Sequence, residues 1–363
     1  MARTRADRSE EEPRPRRVAF LGFGLIGASI AMALRGHERA LGLEPSELRA
    51  WTPAGHGPAH GRSVGLLDAA PPTPEATIEG ADLVVLAGPP QAVLDDLDDL
   101  AGRWREALGE ALVTDVASTK ARIVARAAER GVRFVGGHPM AGREATGAEA
   151  ASAALFAGRP WAVVPPNGHA ADDMTRSAAD ILMVEQLARA TGADPLRLSA
   201  AEHDAAVAAI SHLPLLASVA LVEAVAGELV GGSGSVGGAS YDGSSGGATL
   251  AWRLAASGWR DMTRLAAGSP EMAAGIVSTN TDELLPRLRA ILASLDDWIA
   301  VLEGEPGADL AALRSRFERA RDVAGRTRGT FAGDHGASMA RPGARAGGGA
   351  RMGKGGGTTP ADR

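Results

Sequence analysis

Cysteine is absent from all 363 residues, which excludes disulfides, thiolate nucleophiles and cysteine-ligated metals. That absence fits a cytoplasmic protein. The sequence has no uninterrupted apolar run of about 18 residues, so no membrane span is expected. The N-terminus, MARTRADRSEEEPRPRR, carries charges and prolines but no apolar centre, so it does not read as a secretory signal. A basic excess is also missing. The net charge is −6 and arginines concentrate only in the two tails, so nucleic acid is not an expected partner. Internal repeats are absent, and no lysine occurs between residues 170 and 230.

The composition that remains suits a packed core, with 45% hydrophobic and 23% charged residues. The length suggests two domains with tails. Residues 1–16 read as a disordered tail. From Arg17 short apolar runs begin: RVAFL, then LRAW (48–51), ADLVVLAG (81–88), ALVTDVAS (111–118), VRFVGG (132–137) and RPWAVVP (159–165). Helix-like segments such as 91–107 and 119–130 separate them. This alternation predicts a mainly parallel sheet covered on both faces, over residues 17–168. Beyond about residue 170 the pattern becomes Ala/Leu-rich at helical spacing over 174–191, 199–229, 248–267 and 271–302. A last helix is expected over 308–326. The second domain, 169–328, is thus expected to be all-helical, with a Gly/Ser-rich mobile loop at 231–247 and a disordered tail at 329–363.

Gly22-Phe23-Gly24-Leu25-Ile26-Gly27 fits G-x-G-x-x-G between a strand and a helix, the context in which this pattern binds a dinucleotide. Gly22 permits the tight turn, Gly24 lets a pyrophosphate approach, and Gly27 lets helix and strand pack. The helix N-terminus then offers N–H groups to the phosphates. The competing reading is a glycine turn kept for packing. The second strand ends in Thr52, where an acid would hold a ribose 2′-hydroxyl. Thr52 removes the repulsion of a 2′-phosphate, so of NAD and NADP the residues lean to NADP, with Arg62 nearby.

FVGGHPMAGRE (134–144) sets His138 before Pro139, on a stiff corner at a strand end. In TDVASTK, Ser118 follows a strand end. It can orient a neighbouring base, or simply cap the next helix with Lys120 solvated. His203, Val207 and Ser211 share one helical face, with His212 adjacent and Pro214 expected to kink the helix. This polar set either lines a pocket or forms a buried network. Arg260 and Arg264 lie four apart, a spacing suited to a dicarboxylate. Asp261 can instead pair with Arg264 as a surface salt bridge.

Taken together, GFGLIG, DVASTK, FVGGHPMAGREATG, LFAGRPWAVVP, EHDAAVAAISHLP and SGWRDMTRLAAGSP resemble, in order, the prephenate/arogenate dehydrogenase (TyrA) family over roughly residues 17–300. The resemblance implies a Rossmann domain followed by a helical domain that forms a homodimer. It implies that His138 hydrogen-bonds the substrate's ring hydroxyl, that Ser118 orients it, and that Arg264 grips a substrate carboxylate. Ser211, with Arg260 and His212, falls in the substrate pocket, and Glu144 and Asp261 fall where relatives build an ionic network at the entrance. The expected reaction is oxidative decarboxylation of a small cyclohexadienyl substrate with NAD or NADP, in tyrosine biosynthesis. Leu215 and Ala273 stand where many prephenate-preferring members carry histidine and tryptophan, which resembles the arogenate-using branch. No regulatory ACT domain can be built after residue 330. Three rivals remain. A β-hydroxyacid dehydrogenase would need a lysine that 170–230 lacks. A relative acting on an amino-substituted prephenate would show the same motifs. A non-catalytic NAD(P)-binding sensor would not need His138, Ser118 and Arg264 together.

Overall fold

The first apolar run forms β1 (Arg17–Leu21), and the stretch after the glycines forms α1 (Leu25–Leu41). Gly42 ends α1 in the left-handed region (φ 64°), where its N–H and that of Leu43 close onto the Arg39 and Glu38 carbonyls. β2 (Glu47–Trp51) follows, then α2 (His56–Ser63), α3 (Pro74–Ile78), β3 (Leu83–Leu86), α4 (Pro90–Ala101) and α5 (Arg105–Leu108). β4 (Leu112–Asp115), α6 (Ala121–Glu129), β5 (Phe134–Pro139), β6 (Pro160–Val164), α7 (Met174–Ala190) and β7 (Asp194–Arg197) complete the sheet layer. This computed structural model describes residues 14–142, 145–166, 174–229, 253–304 and 309–333.

The strands form one seven-stranded sheet in the order β2-β1-β3-β4-β5-β6-β7. Every neighbouring pair is parallel except β5 with β6. Successive residues face opposite cores. Val18, Phe20, Leu83 and Val85 meet Trp161 and Val163 on one side, while Ala19, Leu21, Val84 and Leu86 meet Val113 and Val164 on the other. Burial on both faces explains why these strands read as continuous apolar runs. The order reverses at β1, so a crevice opens where β1 and β3 end, the usual ligand position in such sheets. This is the expected Rossmann-type architecture.

The sheet layer runs further than expected. β7 has the sequence DPLR, without an apolar run, and it pairs with β6 through backbone bonds. α7, expected to open the helical half, packs on β5 and β6 instead. The layer therefore extends past residue 168 to Arg197. The helical layer follows as α8 (Ala200–Val207), a π-turn (Ala208–His212), α9 (Leu213–Leu229), α10 (Ser257–Thr263), a 3₁₀ turn (Arg264–Ala267), α11 (Pro270–Thr279) and α12 (Thr281–Glu303). Ser199 and Glu202 start α8 with a reciprocal capping box. By length and composition alone Ala200–Val225 could cross a membrane. Its buried polar residues bond to the sheet layer, as described below, and mark it as a packing helix.

The chain divides into two compact units, Met1–Asp296 and Asp297–Arg363. In the second, α13 (Leu310–Gly333) outruns its expected end. Within that unit Trp298 meets the Phe317 ring at 5.3 Å, with the Arg316 guanidinium 4.2 Å over its face. At the other end, order begins before Arg17: Arg14 donates to the Glu44 carbonyl at 2.7 Å, and the Arg16 N–H to Asp82 at 2.7 Å. The expectations for 231–247 and for residues 1–13 and 334–363 lie outside the described residues.

Gly22 has φ +97°, and an added Cβ would stand 2.6 Å from the carbonyl carbon of Ala87. Backbone cannot yield as a flexible side chain can. Gly22→Ala is expected to lower stability by about 1–3 kcal/mol. Urea unfolding checks this, and an unchanged midpoint would show that the β1 and β3 ends are not tightly apposed.

Candidate active site

The glycine loop sits in the crevice between β1 and β3. The Gly22 N–H donates to the Trp51 carbonyl (2.9 Å) and the Ala87 N–H to the Leu21 carbonyl (2.7 Å), which ties the three strand ends together. Gly27 packs so closely that a Cβ would lie 2.9 Å from the Gly22 oxygen, whereas a Cβ on Gly24 would meet nothing within 4 Å. That open face, beside an α1 N-terminus that no side chain caps and no acid approaches, fits a dinucleotide pyrophosphate. Leu25 and Ile26 border it, partly buried. Phe23 contributes differently from its neighbours. Its ring is buried edge-on against Phe20 (5.6 Å), so only its backbone faces the loop. Thr52 accepts the Gly55 N–H at 3.0 Å. Arg62 is held by the carbonyls of Leu67 and Asp68.

Because β1, β3, β4 and β5 run parallel, their C-terminal ends share one edge. His138, the penultimate residue of β5, therefore stands on the same edge as the glycine loop. Its imidazole is partly exposed. His138 Nδ1 lies 2.8 Å from His203 Nε2, and His203 Nδ1 lies 2.7 Å from Asp204 Oδ1. The Asp204 carboxylate also accepts two backbone N–H groups at the start of α6, from Lys120 to Oδ1 and from Ala121 to Oδ2, each at 2.8 Å. A residue of the helical layer thus caps a helix of the sheet layer.

Next to it lies a fully buried ion pair. Lys120 Nζ meets the Asp115 carboxylate, which also accepts the N–H groups of Gly137 and Ala117 at 3.0 Å each. Burial pushes the Asp115 carboxyl up and the Lys120 ammonium down, and their mutual attraction opposes both shifts. Lys120 is therefore not solvated; the anion it meets is internal.

The π-turn changes which helical residues point inward. On a regular helix Ser211 would continue the stripe of His203 and Val207. The extra residue in the wide turn leaves Ser211 exposed and brings His212 inward, at 1% exposure. The turn precedes Pro214, which cannot donate a backbone bond. Asn280 donates to the Asp204 carbonyl (3.0 Å) and to His212 Nδ1 (3.1 Å). Thr119 reaches Thr279, which in turn donates to the Gly275 carbonyl at 2.6 Å. The expected polar cluster is thus a bonded network that joins the two layers.

Several expected site residues are not brought into it. Ser118 is partly exposed and its hydroxyl makes no hydrogen bond among the described residues; the partner of His138 is His203, and the α6 cap is Asp204. Arg260, Asp261 and Arg264 are exposed on α10 and the 3₁₀ turn, and no Asp261–Arg264 bridge forms among the described residues. That turn is pinned to α9 by the Ala266 N–H on Ser218 Oγ at 3.0 Å. Glu144 lies outside the described residues. Asp115, Asp204 and Asn280 were missed by reading the sequence. Asp115 and Asp204 are polar residues in an apolar or Ala-rich setting, a local signal that a buried partner is needed, whereas Asn280 lies in a polar stretch, STNTDE, and gives no such signal. Among the described residues no cluster of His, Asp and Glu is arranged to hold a metal ion.

Burial holds the His138 pKa well below its usual value, reinforced by His203, Lys120 and His212 facing it. Burial also lowers that of His203, against the pull of Asp204. His212 is lowered by burial to about 4, with His203 adding to the shift and Asp204 and the Ser118 backbone opposing it. All three imidazoles are neutral at pH 7. Unfolded histidines take up protons near pH 6.5 while the folded ones do not, so stability present above pH 6.5 is lost as pH falls towards 4. His212→Asn is expected to flatten this acid limb by up to about 1.4 kcal/mol per pH unit, one proton's share. Urea titrations between pH 7 and pH 4.5 measure it; an unchanged slope would mean that His212 already charges in the folded state.

The model of the prephenate dehydrogenase nucleotide-binding domain matches residues 56–185, and that of the prephenate dehydrogenase dimerization domain matches residues 199–314. The boundary between them falls where the sheet layer ends. The prephenate dehydrogenase of Bacillus subtilis (strain 168) is 29% identical over 311 residues, 84% of this chain and 74% of that protein. The crystal structure of Synechocystis arogenate dehydrogenase has a TM-score of 0.61 at 29% identity, covering 85% of this chain and 99% of that one. Prephenate dehydrogenase from A. aeolicus, solved in complex with hydroxyphenyl propionate and NAD+, shares the fold at 20% identity, with a TM-score of 0.65 over 87% of this chain and 97% of that one. With a nucleotide-binding Rossmann layer followed by the family's helical layer, the chain belongs to the prephenate/arogenate dehydrogenase family of NAD(P)-dependent oxidoreductases.

Proposed function

We propose that this protein oxidatively decarboxylates a cyclohexadienyl substrate on the route to L-tyrosine, with arogenate preferred over prephenate and NADP over NAD. The observation that carries the reading is His138: a neutral, partly exposed imidazole at the sheet edge that also bears the glycine loop. A bound nicotinamide supplies the hydride acceptor. His138 Nε2 takes the ring hydroxyl proton as that carbon gains carbonyl character. The ring carboxylate leaves as carbon dioxide, its bonding electrons complete the aromatic ring, and the proton returns to the phenolic oxygen. Aromatisation drives the step, so placement matters more than force. Arg264, on a turn pinned to α9, holds a substrate carboxylate, with Ser211, exposed on the π-turn, as a second polar group for the substrate.

The preference for arogenate rests on Leu215 standing where many prephenate-preferring relatives carry histidine, and Ala273 where some carry tryptophan. NADP is favoured by Thr52, which places no carboxylate against a 2′-phosphate. Association as a homodimer through the helical layer is supported by the exposed apolar Ile210 (68%), Leu254 (73%) and Met262 (61%).

Cofactor reduction measured with prephenate and arogenate, each crossed with NAD and NADP, tests the reading. Turnover is expected, fastest with arogenate and NADP. Cofactor binding without turnover of either substrate would instead favour a sensor. His138→Asn is expected to lower kcat by about 10²–10⁴-fold, with binding retained. Arg264→Ala is expected to raise KM by roughly 10–100-fold with a smaller effect on kcat, because a carboxylate anchor acts in ground and transition states alike. Unchanged KM for both substrates would remove Arg264 from the pocket.

A further inference from the structure

The hydrogen-bonded line from β5 into α8 has a direction. Asp204 accepts backbone N–H groups on both carboxylate oxygens, Lys120 on Oδ1 and Ala121 on Oδ2, and Oδ1 also meets His203 Nδ1. Both oxygens are thus already engaged as acceptors, and a carboxylate offers no donor. His203 Nδ1 must then be the donor at 2.7 Å. His203 is 1% exposed and neutral, so its Nε2 is bare and can only accept. The atom 2.8 Å away, His138 Nδ1, is therefore protonated and donates. A neutral imidazole holds one proton, which leaves His138 Nε2 with a free lone pair on the ring's other side.

We propose that His203 and Asp204 are positioning residues that fix His138 as its Nδ1–H tautomer, and that Asp204, by capping α6, ties this tautomer to the docking of the helical layer on the sheet. This rests on the reading of His138 as the base, since only a bare Nε2 can take the hydroxyl proton. The remaining charged and titratable groups near the line do not reverse it. Lys120 is paired to Asp115, and His212 is fixed by Asn280. The two backbone N–H groups on Asp204 belong to α6, so separating the layers would free the carboxylate and release His203. In outline this is the orienting logic of a Ser-His-Asp triad, with a second histidine inserted between acid and base.

The first readout is independent of turnover. Nitrogen-15 imidazole spectra of the cofactor-free wild type should show His138 protonated at Nδ1 and His203 protonated at Nδ1. His138 protonated at Nε2 would overturn the proposal whatever the enzyme's substrate. The second readout uses two variants. His203→Phe keeps an aromatic ring but removes its nitrogens, and leaves the Asp204 cap on α6 in place. It should lower kcat at least tenfold, with KM and cofactor affinity within about twofold, and its spectra should show His138 as a mixture of tautomers. Asp204→Asn should turn His203 to its Nε2–H form, push the proton of His138 onto Nε2, and lower kcat by about 10²–10⁴-fold, the range a misplaced tautomer costs in a triad. Retention of wild-type kcat by folded His203→Phe would sink the positioning role. Absence of turnover in the wild type, together with the expected tautomer, would sink the assigned reaction and leave the positioning intact.

Discussion

One carboxylate, that of Asp204, holds the geometry together. It caps α6 across the layer boundary, fixes the His203 ring, and through it reaches the base on β5. An N-cap acid is worth about 1 kcal/mol on an exposed helix. Here it is buried, and losing it would strand two backbone N–H groups and an imidazole donor, each at a cost of about 1–3 kcal/mol. The site and the layer interface are consequently one structure. A substitution that loosens the interface should be felt at His138 before it unfolds the protein.

The sheet was largely legible because its strands are buried on both faces. Each expected apolar run from 48–51 to 159–165 became a strand, with the boundaries shifted by a few residues. β7 was not legible, since DPLR gains its strand character from pairing with β6 and not from its own side chains. The glycine loop and His138 were readable from local chemistry. The His203 contact of His138 was not read, because a pattern along the sheet layer cannot show which residue of a distant helix arrives at the same point. Ser211 was placed inward for a related reason: the helical period assumes 3.6 residues per turn, and the π-turn over Ala208–His212 breaks that count. The EHD triplet, 202–204, carried the missing signal, three ionisable residues side by side in a stretch otherwise built mostly of alanine.

Two neutral histidines, His138 and His203, in the field of a buried lysine present an electrostatic problem that the fold resolves locally. An unpaired ammonium within this cluster would repel any proton the base tried to hold. Asp115 offsets part of that field by pairing with Lys120, and its second task is to accept the Gly137 N–H one residue before His138. Gly137 is glycine for the same reason: a Cβ there would lie 2.6 Å from the Asp115 carbonyl oxygen. The ion pair is therefore better understood as a support for the β4 and β5 ends than as a source of stability. Buried pairs contribute little net energy against an apolar replacement, yet breaking one partner alone costs about 3–5 kcal/mol.

The neutrality of His138, the proposed base, follows from the same arrangement. A histidine with its ordinary pKa, about 6.5, would be partly charged near neutral pH and would spend part of its time unable to accept a proton. Burial, with Lys120 and two further imidazoles as neighbours, lowers the His138 pKa and keeps the lone pair available. The lowered basicity carries a cost, because a weaker base takes a proton less readily. The proposed reaction, ending in an aromatic ring, would tolerate that loss, since its driving force comes from the product and not from the base. A strongly downhill reaction and a weakly basic, rigidly oriented imidazole are thus matched. An uphill proton abstraction at the same position would call for a carboxylate partner directly on His138, and in this protein the acid stands one histidine further back.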